Sequence, residues 1–310
     1  MILTLTLNPS LDRTLQVESL RRGAVIRADA TRLDPGGKGV NVTRALLANG
    51  IPSCAVIPYG GPDGRRLLDL LSAEAIEMIP VEVAGPTRSN IALAEPDGTV
   101  TKVNEAGFEL TAGELDRIAQ AVLDAARSAD WVVASGSLPP GVPTEVYAWL
   151  AERFARAGIN VAVDTSGPAL VAALAGGPAL VKPNRDELAE ATGSAMETVG
   201  DVIKASIQLG CATVLASLGA DGALLVQDGR ILHGACPIKR PRSSVGAGDA
   251  LLAGFLAAGA RGEAALVEGL AWATAAVGQP GSRMPTASDI RREAVQIREP
   301  DPAQPLSSGD

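Results

Sequence analysis

The chain has 310 residues, 46% of them hydrophobic and only 3% aromatic, so a large core must be built from Ala, Val, Leu and Ile. Lys and Arg total 27 against 35 Asp and Glu, a formal charge of −8 with no basic block. This balance argues against a nucleic-acid partner, yet a few placed cations can still hold an anionic small molecule.

The opening MILTLTLNPS has no basic leader and no long apolar stretch, and no apolar run reaches the roughly 18 residues of a membrane helix. A cytoplasmic protein with no membrane partner is expected. The runs ILTLTL, CAVIPY, WVVAS, NVAVD, ALVK and TVLASL are strand-like, and residues 38–49, 63–75, 111–126, 144–157, 167–175 and 198–209 between them are helix-like. Thr111-x-x-Glu114 has the form of a capping box. WVVAS and TVLASL are apolar almost throughout, as strands covered on both faces are. The alternation predicts an α/β fold with a mostly parallel sheet between two helical layers.

Two stretches interrupt the alternation. Residues 12–33 and 89–104 read as β structure without crossover helices, the second folded back at Pro96-Asp97-Gly98-Thr99. They suit either a lid or plain edge strands. Helices are predicted over 246–279 and 287–294, and the ending EPDPAQPLSSGD reads as a loose tail. With no repeat and no linker, the expectation is one domain over residues 1–298, lid segments near 12–33 and 88–105, and a flexible tail over 299–310.

The single histidine, His233, excludes a multi-histidine zinc site and sits in the strand-like RILHG, where a structural role is expected. The three separated cysteines, Cys54, Cys211 and Cys236, read as buried thiols.

Candidate chemistry lies in the turns. SSVGAGD at 243–249 opens an apolar helix. Small residues there let a ligand approach the main chain, and successive amides at a helix start favour negative charge. Asp249 in the first turn is stabilised as a carboxylate by the helix dipole. A carboxylate base beside an anion hole suits phosphoryl transfer; the plain alternative is an ordinary Gly-rich helix start. Leu251 occupies the place of a third glycine, so this is not a dinucleotide fingerprint.

DPGGKGVN at 34–41 also opens a helix, but Arg32 and Gly39 break the P-loop pattern. KPNRDE at 182–187 offers Asn and Glu oxygens suited to Mg²⁺ or its waters, or simply a helix cap. SLGADG at 217–222 is a tight turn after a buried strand, where ligands of parallel sheets bind. ASGSLPPG at 134–141 follows another strand and is not a nucleophile elbow, because Ser135 replaces the first glycine.

In order, NPSLD at 8–12, GGKGVN, TRSN at 87–90, SGSLPPG, KPNRDE, SLGADG and SVGAGD closely resemble the ribokinase/PfkB carbohydrate kinases, from about Leu3 to Arg283. Within the family the likeness is strongest to the phosphosugar branch. That branch contains 1-phosphofructokinases, tagatose-6-phosphate kinases and minor 6-phosphofructokinases, and the first of these is the best match along the chain.

The resemblance implies a ribokinase-like three-layer α/β/α sandwich with a small β lid, often shared across a homodimer. It implies Asp249 as general base and an anion hole from the amides of Gly246, Ala247 and Gly248. It implies Asp12 on sugar hydroxyls, Gly37, Lys38 and Asn41 in a sugar-phosphate loop, Arg88 on the substrate phosphate and Ser137 near the sugar. Lys182 and Asn184 would lie near the ATP phosphates, Ser217, Gly219 and Gly222 would line the nucleotide site, and Glu187 would organise Mg²⁺ through water. One departure is Ala24, which stands near the place of a lid lysine in the minor 6-phosphofructokinases, with Arg21, Arg22 and Arg27 nearby.

The function expected from the resemblance is ATP-dependent phosphorylation of a primary hydroxyl on a ketohexose phosphate. Fructose 1-phosphate is the first choice, with tagatose 6-phosphate and fructose 6-phosphate as alternatives. Fructofuranose carries a hydroxymethyl group at each end, so a site that grips one phosphorylated end can present the other. Two rivals are a non-catalytic sugar-phosphate sensor, disfavoured by the presence of Asp249, and a kinase of neutral sugars or nucleosides, disfavoured by Lys38 and Arg88.

Overall fold

The computed structural model describes residues 1–238 and 241–307. The chain begins with β1 (Ile2–Thr6), β2 (Ser10–Gln16), β3 (Ala30–Gly36), α1 (Lys38–Ala48), β4 (Ser53–Tyr59), α2 (Gly61–Ala73) and β5 (Met78–Glu82). A hairpin of β6 (Arg88–Ala94) and β7 (Val100–Asn104) leads to α3 (Ala112–Ala125), β8 (Trp131–Ser135), α4 (Val146–Arg156), β9 (Asn160–Asp164) and α5 (Gly167–Leu174). Then come β10 (Leu180–Val181), α6 (Arg185–Thr192), α7 (Val199–Gln208), β11 (Thr213–Ser217), β12 (Ala223–Gln227) and β13 (Arg230–Ala235). The last elements are α8 (Ala247–Ala257), α9 (Gly262–Val277) and β14 (Gln296–Arg298).

Ten strands form the main sheet in the order β14-β13-β12-β11-β10-β9-β8-β1-β4-β5. From β11 to β5 every pairing is parallel, and β12, β13 and β14 add an antiparallel margin. Side chains alternate between faces, as the strand period requires. Leu3, Leu5, Val132, Ala134, Val161 and Val163 pack with α3, α4, α5, α6 and α7. Ile2, Val133, Ala162 and Leu180 pack with α1, α8 and α9 on the other face. The strand order reverses at β1, which pairs with β8 on one side and β4 on the other. At such a switch point the strand ends open a crevice. The carboxyl ends there are Thr6, Ser135 and, further along, Asp164 and Ser217.

A second sheet of four strands, β3-β2-β6-β7, is built from the two stretches that broke the alternation. Its β6–β7 hairpin turns at the expected Pro96–Thr99 corner, where Asp97 accepts from the Thr99 amide at 2.9 Å. The expected capping box also forms: Thr111 Oγ1 accepts from the Glu114 amide, and Glu114 accepts from the Thr111 amide.

Two expectations fail. Residues 287–294 form turns and a short 3₁₀ segment at Arg292–Ala294, because Thr286 and Asp289 close a local turn of their own. The ending is not loose where it is described. Val199 and Gly200 donate their amides to Gln304 O and Pro302 O, each at 3.0 Å, and Leu306 packs on the core. Residues 308–310 of the expected tail lie outside the described residues. His233 is fully buried and donates from Nε2 to Asp221 O at 2.8 Å, the structural role expected of it. Among the described residues no helix is long and apolar enough to cross a membrane.

Candidate active site

The α8 helix starts at Gly246, whose φ of 78° lies in the left-handed region that glycine adopts without strain. An added Cβ there would stand 2.9 Å from Met284 Cε. The turn places Asp249 in the first turn of the helix, 7% exposed. Among the described residues, the Gly246 and Gly248 amides have no main-chain acceptor, while the Ala247 amide points back to Ser244 O at 3.3 Å. The free amides are those that a helix start leaves for an anion.

Asn41, one turn into α1, donates Nδ2 to Asp249 Oδ2 at 2.8 Å. Burial pushes the Asp249 carboxyl up to about 6, with the Asp164 charge adding to the rise and Lys38, Asn41 and Lys182 opposing it. The helix dipole was expected to favour the carboxylate; desolvation is the larger influence and raises the value, leaving it ionised at neutral pH.

Asp164, at the end of β9, is the hub of the site and was not singled out in the sequence. It is 1% exposed. Lys38 Nζ donates to its Oδ1 at 2.7 Å, and Lys182 Nζ lies 3.2 Å from Oδ2, an ion pair short of hydrogen-bond geometry. Burial by itself would raise the Asp164 carboxyl, but Lys182 and Lys38 outweigh it and hold it below the ordinary value. Lys38 also reaches Glu187 Oε1 at 3.1 Å. Burial would lower the Lys38 ammonium, yet the charges of Asp164 and Glu187 hold it above its ordinary value. An added Cβ on Gly248 would meet Lys182 Nζ at 3.3 Å, so this ammonium stands beside the anion hole.

The structure therefore joins Lys38, Lys182 and Glu187 through Asp164, and separately joins Asn41 to Asp249, which feels the charges of Asp164, Lys38 and Lys182 without a direct bond to them. Lys38 is expected to serve the sugar phosphate and Asn41 the same loop. In the structure Lys38 pairs with two carboxylates through two of its three N–H donors, and Asn41 holds Asp249. Gly37 (φ 123°) caps α1, and its missing Cβ leaves space that would otherwise bring a contact of 2.7 Å with Thr6 Cγ2.

A second group lies on the four-stranded sheet. Asp12 Oδ1 accepts from Ser10 Oγ at 2.7 Å and from Asn90 Nδ2 at 3.0 Å. Burial raises its carboxyl despite those donors and Arg88. Arg88 is hooked to Asn8 O through Nε at 3.2 Å and Nη2 at 2.9 Å, and to Glu105 O through Nη1 at 2.9 Å. Burial lowers its guanidinium from the ordinary value, with Asp12 and Glu105 opposing the change. Asn8 Nδ2 also donates to Ser137 Oγ at 3.3 Å, which brings the SGSLPPG loop to the same place. Asn8, Ser10 and Asn90 were visible only as members of motifs. Among the described residues no hydrogen bond or ion pair joins this group to Asp249.

A third group is held by main chain. Asn184 caps α6 by accepting from the Glu187 amide at 2.8 Å, while Glu187 Oε2 accepts from the Asn184 amide at 2.9 Å. Asn184 bridges Ser217 at the end of β11. Beyond it, Gly219 (φ 62°) and Gly222 (φ 91°) shape the turn, and a Cβ on Gly222 would stand 2.0 Å from Gly234 O.

The chain as a whole is similar to known proteins. The pattern of the pfkB family of carbohydrate kinases matches residues 6–289. The chain belongs to that family. It is 39% identical to a 1-phosphofructokinase from Haloferax volcanii, over 96% of this chain and 97% of the relative. It is 34% identical to the ATP-dependent 6-phosphofructokinase isozyme 2 of Escherichia coli K12, over 94% of this chain and 97% of the relative. The crystal structure of Escherichia coli phosphofructokinase-2 with fructose-6-phosphate superposes with a TM-score of 0.86 at 34% identity, covering 93% of this chain and 96% of the other. This pfkB kinase is a phosphotransferase with the ribokinase-like sandwich expected from its motifs.

Proposed function

We propose that the enzyme transfers the γ-phosphoryl group of ATP to the free primary hydroxyl of fructose 1-phosphate, giving fructose 1,6-bisphosphate. The observation that carries the reading is Asp249, a buried carboxylate in the first turn of α8, beside free glycine amides and the Lys182 ammonium. Asn41 occupies Oδ2 and leaves Oδ1 for the acceptor hydroxyl. As the acceptor oxygen bonds to the γ-phosphorus, the bond to the β–γ bridging oxygen breaks, ADP leaves, and the hydroxyl proton passes to Asp249. The free amides of Gly246 and Gly248 would stabilise the charge spread over the transferring group, and that of Ala247 would join them on leaving Ser244 O. An Asp249 value near 6 suits a base that must be free at neutral pH and still accept a proton.

Lys182, Asn184, Ser217, Gly219 and Gly222 form the ATP side. Mg²⁺ bound with the nucleotide would draw charge from its phosphates. Glu187 would hold it through water. On the sugar side Asp12 meets hydroxyls, Ser137 lines the approach and Arg88 takes the phosphate, with the four-stranded sheet as lid. Val25 (84% exposed), Val100 and Val103 leave apolar surface on and beside that sheet, which suits a homodimer contact there. The cytoplasm is the compartment that supplies both substrates.

The acceptor rests on the Haloferax relative, while the Escherichia coli relative favours fructose 6-phosphate as the second reading. Measuring kcat/KM with MgATP and fructose 1-phosphate, fructose 6-phosphate, tagatose 6-phosphate or fructose decides between them. Preference for fructose 1-phosphate supports the proposal, preference for either 6-phosphate moves the acceptor, and no turnover from folded protein that binds ATP favours the sensor.

A further inference from the structure

The ending of the chain is tied to the ATP side of the site. It lies across the start of α7, where Pro302 O and Gln304 O accept from the Gly200 and Val199 amides, each at 3.0 Å. These two carbonyls satisfy donors that a helix start leaves open. Gly200 is needed for the approach, since a Cβ there would stand 2.7 Å from Pro302 O. The Leu306 amide donates to Glu197 O at 2.8 Å, and the Leu306 side chain packs on the core.

Ser307 then joins two motif loops. Its amide and Oγ donate to Asp221 Oδ2 and Oδ1 at 2.8 and 2.9 Å. Its carbonyl accepts from Arg185 Nη1 at 2.5 Å, and Arg185 Nη2 donates to Met196 O at 2.9 Å. Asp221 belongs to SLGADG and Arg185 to KPNRDE. The far side of Asp221 is fixed as well, because its carbonyl accepts from buried His233. One residue of the ending therefore holds the Gly219–Asp221 turn in register with the start of α6, 86 and 122 positions away in sequence.

We propose that residues 301–307 form a strap that positions the nucleotide loops, with Ser307, Asp221 and Arg185 as positioning residues for ATP. The inference rests on the reading of 184–187 and 217–222 as the ATP side. A strap that acts there changes nucleotide binding and leaves the sugar side alone, since Asp12 and Arg88 share no contact with it.

The test compares Asp221→Ala, a chain ending at residue 300, and the two combined, with Gly219→Asn as a control for the location of the site. Asparagine tolerates the left-handed φ of 62°, and the Cβ at Gly219 faces open space. Both KM values, kcat and Tm are measured with MgATP and the best acceptor of the panel. The expected result is a rise in KM for ATP of about three- to tenfold in each strap variant, with the KM for the acceptor and kcat little changed. The double variant should be no worse than the shortened chain, because both break one connection. A rise in both KM values together, or none in that for ATP while Gly219→Asn raises it, overturns the strap and leaves the ATP site standing. An unchanged KM for ATP in Gly219→Asn as well overturns the location of the ATP site and the strap with it.

Discussion

Asn41 and Asp249 lie 208 positions apart in sequence and meet at 2.8 Å, the amide of one holding the carboxylate of the other. Helices α1 and α8 pack on the same face of the main sheet and bring the two together. Asn41→Ala removes a donor to the charged form, so the Asp249 carboxyl rises further above its present value of about 6. The acidic limb of the kcat–pH profile should move up by about one pH unit. Activity should fall more at pH 6 than at pH 8. A limb that stays in place contradicts the contact.

Asp164→Asn should move the same limb the other way. It removes a negative charge that raises Asp249 and frees Lys38 and Lys182 to oppose the rise. The variant also leaves two cations without their buried partner, at a cost of about 3–5 kcal/mol. The folded Asp164 value lies below the ordinary one, so its stabilisation is present above the unfolded value and is lost as pH falls through the folded one. Acid unfolding followed by circular dichroism should therefore be shallower in the variant, from a lower Tm at neutral pH.

Arg88 and Lys38 should separate cleanly. Arg88→Met should raise the KM for a phosphorylated acceptor about 10- to 100-fold and leave the KM for ATP and the use of fructose little changed. Lys38→Met leaves Glu187 without its cation and Asp164 with Lys182 alone, so it should lower Tm and kcat before it affects any KM. A loss of acceptor affinity in Lys38→Met with unchanged Tm would restore Lys38 to the sugar phosphate.

The sequence carried the fold because alternation and apolar strands such as WVVAS are local signals that the packing then obeys. It also carried the turns: SLGADG was read as a tight turn and SVGAGD as a helix start, and their glycines at 219, 222 and 246 have positive φ values. The partners of charged side chains were not legible. Lys38 looks like a phosphate ligand from GGKG alone, and only the carboxyl end of β9 reveals that Asp164 claims it. Asp164 itself ends an ordinary buried strand, NVAVD, with no turn motif to mark it. The docked ending was hidden for a similar reason: Pro302 and Gln304 bind through main-chain carbonyls, which composition does not report.

The most direct test of the account is Asp249→Asn, read for turnover and stability together. Burial raises the folded carboxyl from the ordinary 3.8 to about 6, so this group stabilises the folded chain below that window and loses the contribution as pH rises through it. At pH 7 to 8 the buried charge costs on the order of 3 kcal/mol. Asp249→Asn should lower kcat about 10²–10⁴-fold, with Tm at pH 8 unchanged or raised and KM for ATP nearly unchanged. Turnover equal to the parent enzyme, in protein of the same stability, would contradict the assignment of Asp249 as the base.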